Sequence, residues 1–269
     1  MSDSQKAGRL SDVDLIVEAA LEAGRIALGF FRQSPEVWWK NGGLSPVSAA
    51  DFAANESLAA ILRSARPGYG WLSEETDDDA DRLSHRTVFV VDPIDGTRGF
   101  LAGSDLWCVS VAVVTDGRPV AGVLYAPSLD ELFVATAGGE ASKNGKPIHV
   151  SQRLGDDPHR LATGEDMLTG FDPDFRKTVE RVKHIPSLAY RLAMVADGRL
   201  EATLVKRNSH DWDLAAADLI LERAGGALVD LSGNALRYNR AEVSHDELCG
   251  APASQLPEFL RQLSHRRDS

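Results

Sequence analysis

With 269 residues, 43% hydrophobic and 26% charged, the chain has the composition of a globular protein and enough length for a large core. A net charge of −11 gives no overall attraction for nucleic acid. That partner class is set aside, and an anionic ligand must be received by local metals or a local basic patch. The longest clear apolar run, Leu106 to Val114, is too short to span a bilayer. Cys108 and Cys249 stand far apart with no paired-thiol or zinc spacing. Together with the polar stretch Met1 to Leu10, these features predict a cytoplasmic protein in a reducing compartment, with no membrane partner.

Val13, Ile16, Val17, Ala20, Leu21 and Leu28 fall largely on one helical face and predict a helix from Ser11 to Phe31. Trp38-Trp39 is expected to pack that helix against the body. Ser48-Ala49-Ala50-Asp51 reads as a capping box opening a helix to about Leu62. Tyr69 to Ser73 and Thr87 to Val91 read as strands, separated by a solvated, mobile acidic loop, Thr76 to Asp81. The runs Leu106–Thr115, Pro119–Tyr125 and Glu131–Thr136 predict an antiparallel meander, with hairpin turns at Asp116-Gly117 and Asn144-Gly145. Beyond Ser151 the rhythm changes. Short strands near Leu161, Ile185, Leu200–Val205 and Ala227–Val229 alternate with helices at Ser187–Val195, Asp213–Ala224 and Ala253–Leu263. Two packed halves are expected, 1–150 and 151–269, with a site between them.

The chemistry concentrates in Asp92-Pro93-Ile94-Asp95-Gly96-Thr97, which follows the apolar strand Val88-Phe89-Val90-Val91. A buried strand thus delivers two carboxylates into a turn that ends in glycine and a hydroxyl. Pro93 stiffens the backbone and leaves carbonyls available. Gly96 allows close approach, and Thr97 can open a helix whose amides face an anion. Hard oxygen ligands beside an anion pocket suggest magnesium and phosphate. Two further elements are ambiguous alone. Asp213, in Trp212-Asp213-Leu214-Ala215-Ala216-Ala217, taken alone reads first as a helix cap, and Glu74-Glu75 at a strand end read first as solvated acids.

Taken together, Glu74, the 92–97 motif and Trp212-Asp213 resemble the inositol monophosphatase superfamily. The resemblance runs from Lys40 to Asn239. It implies an α/β (α+β) fold, a layered αβαβα sandwich, and a magnesium-dependent phosphomonoesterase with two or three Mg²⁺ per site. Glu74, Asp92 and the Ile94 carbonyl look like ligands of one ion, and Asp92, Asp95 and Asp213 of a second; Glu75 would support a looser third. Gly96 and Thr97 would offer amides to the phosphate. Thr97 and Glu74 would activate water, with Asp51 hydrogen-bonded to the threonine. The resemblance also implies inhibition by lithium, and either a monomer or a homodimer.

For the substrate, a small phosphorylated metabolite, the resemblance divides. Inositol phosphate enzymes usually carry a glutamate seven positions before the metal-binding aspartate. Here Lys206 stands there, followed by Arg207, a pair that would attract a second phosphate. Lys40 with Ser45-Pro46-Val47-Ser48-Ala49-Ala50-Asp51, and Gly122-Val123-Leu124-Tyr125-Ala126-Pro127, resemble the 3′(2′),5′-bisphosphate nucleotidases of sulfur metabolism. That favours adenosine 3′,5′-bisphosphate, with inositol 1-phosphate and then histidinol phosphate as alternatives. Arg98-Gly99 departs from that branch, and a similar arginine occurs in histidinol-phosphate phosphatases. A regulatory binding protein on the same fold is the non-enzymatic alternative. Gly145-Lys146 is no P-loop, since Glu140 stands where its first glycine belongs. His210-Asp211 reads as structural.

Overall fold

The computed structural model describes residues 10–40, 45–152 and 159–263. The stretch before Leu10 and the side chains of Lys40 and Ser45 lie outside the described residues. Helix α1 (Asp12–Phe30) is capped by Ser11, and α2 (Ala49–Ala65) opens with the expected capping box of Ser48 and Asp51. Between them, β1 (Val37–Lys40) and β2 (Ser45–Ser48) form an antiparallel hairpin.

Seven strands build the main sheet in sequential order: β3 (Gly70–Ser73), β4 (Thr87–Asp95), β5 (Cys108–Thr115), β6 (Arg118–Ala126), β7 (Glu131–Thr136), β8 (Ser142–Lys143) and β9 (Lys146–Pro147). Only the β3–β4 pair is parallel. Strand β4 runs past Val91 through the first four residues of the motif to Asp95, and a register shift against β5 between Asp92 and Asp95 bends it toward the short α3 (Thr97–Leu101).

A second, five-stranded sheet is assembled from β10 (His159–Ala162), β11 (Val179–Arg181), β12 (Ala202–Val205), β14 (Gly226–Asp230) and β16 (Leu248–Pro252) in the order β11-β10-β12-β16-β14. A small pair joins β13 (Ser209–His210) to β15 (Ser244–His245). The remaining helices are α4 (Glu165–Leu168), α5 (Pro173–Arg176), α6 (Leu188–Ala196), α7 (Asp211–Arg223) and α8 (Leu256–Leu263).

Alternation of side chains along the strands dictates the layering. Phe89, Val91, Val109, Val111 and Val113 pack on α1 and α2 through Ile16, Ala20, Ala54 and Leu58. Val88, Val90, Ala112 and Leu124 point the other way, onto Leu192 and Ala193 of α6 and Leu214, Ala217 and Ile220 of α7. The same cluster reaches Val205, Leu228 and Leu248 of the second sheet, whose far face buries Leu204, Cys249 and Ala251 against Phe259 and Leu263 of α8. The result is the layered αβαβα sandwich expected from the sequence. The alanines of α7 allow close packing: a Cβ on Gly122 would stand 3.0 Å from the Ala216 carbonyl oxygen.

Three expectations need correction. Ile185 is buried but not in a strand; the neighbouring Pro186 has no amide for a ladder, and the strand lies earlier, at β11. Trp38 and Trp39 are exposed on the β1–β2 hairpin, and Trp38 meets Phe52 of α2, not the first helix. The acidic loop is partly ordered: Asp79 caps a 3-10 turn at Ala80–Ser84, and Asp78 pairs with buried Arg82. Among the described residues no helix is long and apolar enough to cross a membrane.

Candidate active site

The end of β4, the end of β3 and the start of α7 meet at one cleft. Its lining, about 290 Å³ in volume, includes Glu74, Asp92, Asp95, Gly96, Thr97 and Asp213, together with Pro46, Arg98, His184 and Pro186. Ligand oxygens of Asp92, Asp95 and Asp213 all lie within 4.8 Å of one another. Residues separated by 121 positions in the chain therefore present three carboxylates to a single point, with Glu74 beside them.

Each carboxylate is held by backbone. Asp92 accepts from the amide of Ile94 at 2.9 Å, a turn that Pro93 stiffens. Asp95 accepts from the Ser187 hydroxyl and from the Ala189 amide at 2.6 Å, so the first turn of α6 fixes it. Asp213 is the third residue of α7 and accepts from the His210 amide at 2.7 Å, closing a capping box. The capping reading and the cleft position are both realised, because one oxygen suffices for a cap.

Crowding has an electrostatic consequence. Asp92 is raised well above the usual carboxylate range, first by burial and then by the charge of Glu74. Asp95 is pushed up to about 7 by burial and the charge of Asp213. Such a set of desolvated, mutually repelling oxygens is relieved by a hard cation, so the donor chemistry fits magnesium. Arg191, one turn into α6, is pushed down to about 10 by burial against the pull of Asp95.

Thr97 places its hydroxyl 3.1 Å from Oδ1 of Asp51 and 3.1 Å from the Ile94 carbonyl. Both partners only accept, so the hydroxyl proton is committed to them and the oxygen can accept from a water in the cleft. Asp51 itself is raised by burial, an effect opposed by the bonds it receives from Ser48 and Thr97. Gly96 adopts φ 96°, and an added Cβ would meet the Ser187 amide nitrogen at 3.1 Å, so the turn demands glycine here.

Lys206 and Arg207 are exposed and do not line this cleft; Lys206 pairs with Asp166 at 2.8 Å. Glu75 is half-buried, its amide donating to Ser73. His210 stacks on Trp212 with ring centroids 4.7 Å apart, and Asp211 is buried against His245, in keeping with structural roles. Sequence reasoning did not single out His184, Pro186 or Ser187. Ser187 carried one usable signal, its place before an apolar helix, which marks an N-cap able to serve a neighbouring acid.

The model of the inositol monophosphatase family matches residues 10–267. An inositol monophosphatase of Dictyostelium discoideum is 34% identical over 248 residues, covering 88% of this chain and 89% of the relative. A histidinol-phosphatase of Chlorobaculum parvum is 33% identical over 229 residues, covering 82% and 87%. The crystal structure of the extragenic suppressor protein suhB from Bartonella henselae superposes with a TM-score of 0.82 at 30% identity, covering 93% of this chain and 97% of that one.

Proposed function

The chain belongs to the inositol monophosphatase family, whose members are metal-dependent phosphoric monoester hydrolases, and we propose that it hydrolyses a small polyol monophosphate, with inositol 1-phosphate as substrate. The observation that carries this reading is the convergence of Asp92, Asp95 and Asp213 within 4.8 Å beside Glu74. Glu74, Asp92 and the Ile94 carbonyl would hold one magnesium ion, and Asp92, Asp95 and Asp213 a second, with Glu75 near a looser third. Bound there, the ions supply Lewis acidity and neutralise charge on the phosphoryl oxygens.

The protein groups divide the remaining work. Glu74 and the Thr97 oxygen together orient a water and take its proton, and Asp51 keeps the threonine hydroxyl turned away from that water. The amides of Gly96 and Thr97 receive the phosphate where β4 turns into α3. The family resemblance implies that lithium inhibits by competing for a magnesium position.

A bisphosphate substrate is the second reading. The Lys206–Asp166 pair is about 60% exposed on both sides. An ion pair so open to water is weak, and a second phosphate could replace Asp166. Phosphate release from inositol 1-phosphate, histidinol phosphate and adenosine 3′,5′-bisphosphate, with Mg²⁺ and with Mg²⁺ plus Li⁺, tests both. We expect the highest kcat/KM for inositol 1-phosphate and no turnover without Mg²⁺. A bisphosphate preference of about tenfold or more, lost in Lys206→Ala, overturns the first reading in favour of the second.

A further inference from the structure

Glu74 and Asp213 stand on elements that share no ladder. Strand β3, which ends beside Glu74, is the edge of the main sheet and among the described residues pairs only with β4. Outside this edge the chain from 76 to 85 borders a polar groove of about 610 Å³ lined by Asp77, Asp79 and Asp81. Inward, one side chain ties it down. Arg82, 2% exposed, donates from Nε and Nη2 to both oxygens of Asp78 at 2.5 and 2.8 Å. Its Nη1 donates to Oδ1 of Asn239 at 2.7 Å and to the Arg240 carbonyl at 3.0 Å.

Asn239 carries the connection onward. Its amide donates to Oδ2 of Asp211 at 2.6 Å, and Oδ1 of Asp211 meets Nε2 of buried His245 at 2.7 Å. Asp211 is the first residue of α7, two before Asp213. Asn239 holds φ 55°, a left-handed conformation that asparagine tolerates, and this turns amide and side chain toward opposite partners.

From this chain of bonds we infer that Arg82, Asn239 and Asp211 form a positioning clamp that sets the spacing of Glu74 from Asp213 and hence the affinity for magnesium. The inference rests on the metal reading proposed above. Two bonds of the buried guanidinium hold it to Asp78 within its own segment, and the two from Nη1 to Asn239 and Arg240 lock that segment to the other arm of the site. Loss of a group bonded directly to a metal ligand typically weakens binding by about 10–100-fold, and the clamp, which acts one residue further out, falls at the low end of that range.

Calorimetric titration of magnesium into the metal-free full chain tests it, beside kcat measured against Mg²⁺ concentration. Asn239→Ala removes one acceptor of Arg82, leaving Asp78 and the Arg240 carbonyl, and keeps the backbone N–H hydrogen bond to Asp211. It should weaken Mg²⁺ binding by about tenfold, with kcat recovered at saturating Mg²⁺ and a modest loss of Tm without metal, because alanine is strained at this left-handed position. Arg82→Lys should act the same way, and Asn239→Asp, which still accepts from Arg82, should bind magnesium like the wild type. An unchanged Mg²⁺ affinity in folded Asn239→Ala overturns the clamp, as does a fall in kcat that no Mg²⁺ concentration repairs. Wild-type protein that takes up no magnesium would instead remove the metal reading itself, and the clamp with it.

Discussion

Asp51 and Thr97, 46 residues apart, are joined by a hydrogen bond of 3.1 Å from the threonine hydroxyl to Oδ1, while Oδ2 of the same carboxylate accepts from the amide and hydroxyl of Ser48. One side chain therefore closes the capping box of α2 and orients a hydroxyl in the cleft. Removing that hydroxyl should affect rate and leave stability alone. Thr97→Ala is expected to lower kcat by about 100-fold or more with Tm nearly unchanged, while Thr97→Ser keeps most of the rate. Steady-state kinetics at saturating Mg²⁺ and thermal melts measure the two effects. Equal activity in the alanine variant would remove Thr97 from the chemistry.

Asp95 is a buried acid whose charge is disfavoured until a cation arrives. Asp95→Asn should raise the Tm of metal-free protein, because it removes one of the crowded charges. It should also shrink the rise in Tm on adding Mg²⁺ and reduce kcat by orders of magnitude. Melts with and without Mg²⁺ give both signs. A variant with near-wild-type turnover would refute the two-metal assignment.

Away from the cleft, Asp218 of α7 is pushed up to about 6 by burial, while its bond from Tyr238 at 2.8 Å pulls the other way. Arg118 and His245 favour its charged form and Glu222 opposes it. Between the ordinary aspartate value and about 6 the folded state binds more protons than the unfolded state. Stability contributed by this group is therefore full at low pH, declines as pH rises through that window and levels off above it. Asp218→Asn keeps an acceptor for Tyr238 and removes the titration. Between pH 4.5 and 6.5 the variant should gain about 2 kcal/mol relative to wild type, read by urea unfolding at both values. A constant difference would show that this carboxyl titrates normally.

The contact between Gly122 of β6 and Ala216 of α7 sets how closely the helix bearing Asp213 lies on the sheet. Gly122→Val should destabilise by about 1–3 kcal/mol through overpacking. It should weaken magnesium binding as well, because α7 must shift away. Denaturant unfolding and Mg²⁺ titration check the pair of effects. Lost stability with intact Mg²⁺ affinity would show that α7 slides without moving Asp213.

The local grammar was written in the residues. Ser48 to Asp51 specified a cap, Asp116-Gly117 a hairpin turn, and alternating valines a meander whose two faces each needed a helical layer. The spacing of Asp92, Asp95, Gly96 and Thr97 on one strand end is a property of consecutive covalent geometry, so its chemistry could be read directly. Failures came where the partner is remote. Trp38-Trp39 is expected to pack the first helix against the body, yet the β1–β2 hairpin carries both outward.

Sequence alone settled most of the elements and which acids were available, since periodicity and turn chemistry act over a few residues, while the layered architecture followed from the family resemblance. Tertiary packing decided which of those acids meet. It placed Asp213 against Asp92 and Asp95, tied Asp95 to Ser187 and joined Asp51 to Thr97. It also left Lys206 beside Asp166, outside the cleft lining. Distances between residues a hundred positions apart are fixed by how sheets twist and helices seat on them, and no local pattern encodes that sum.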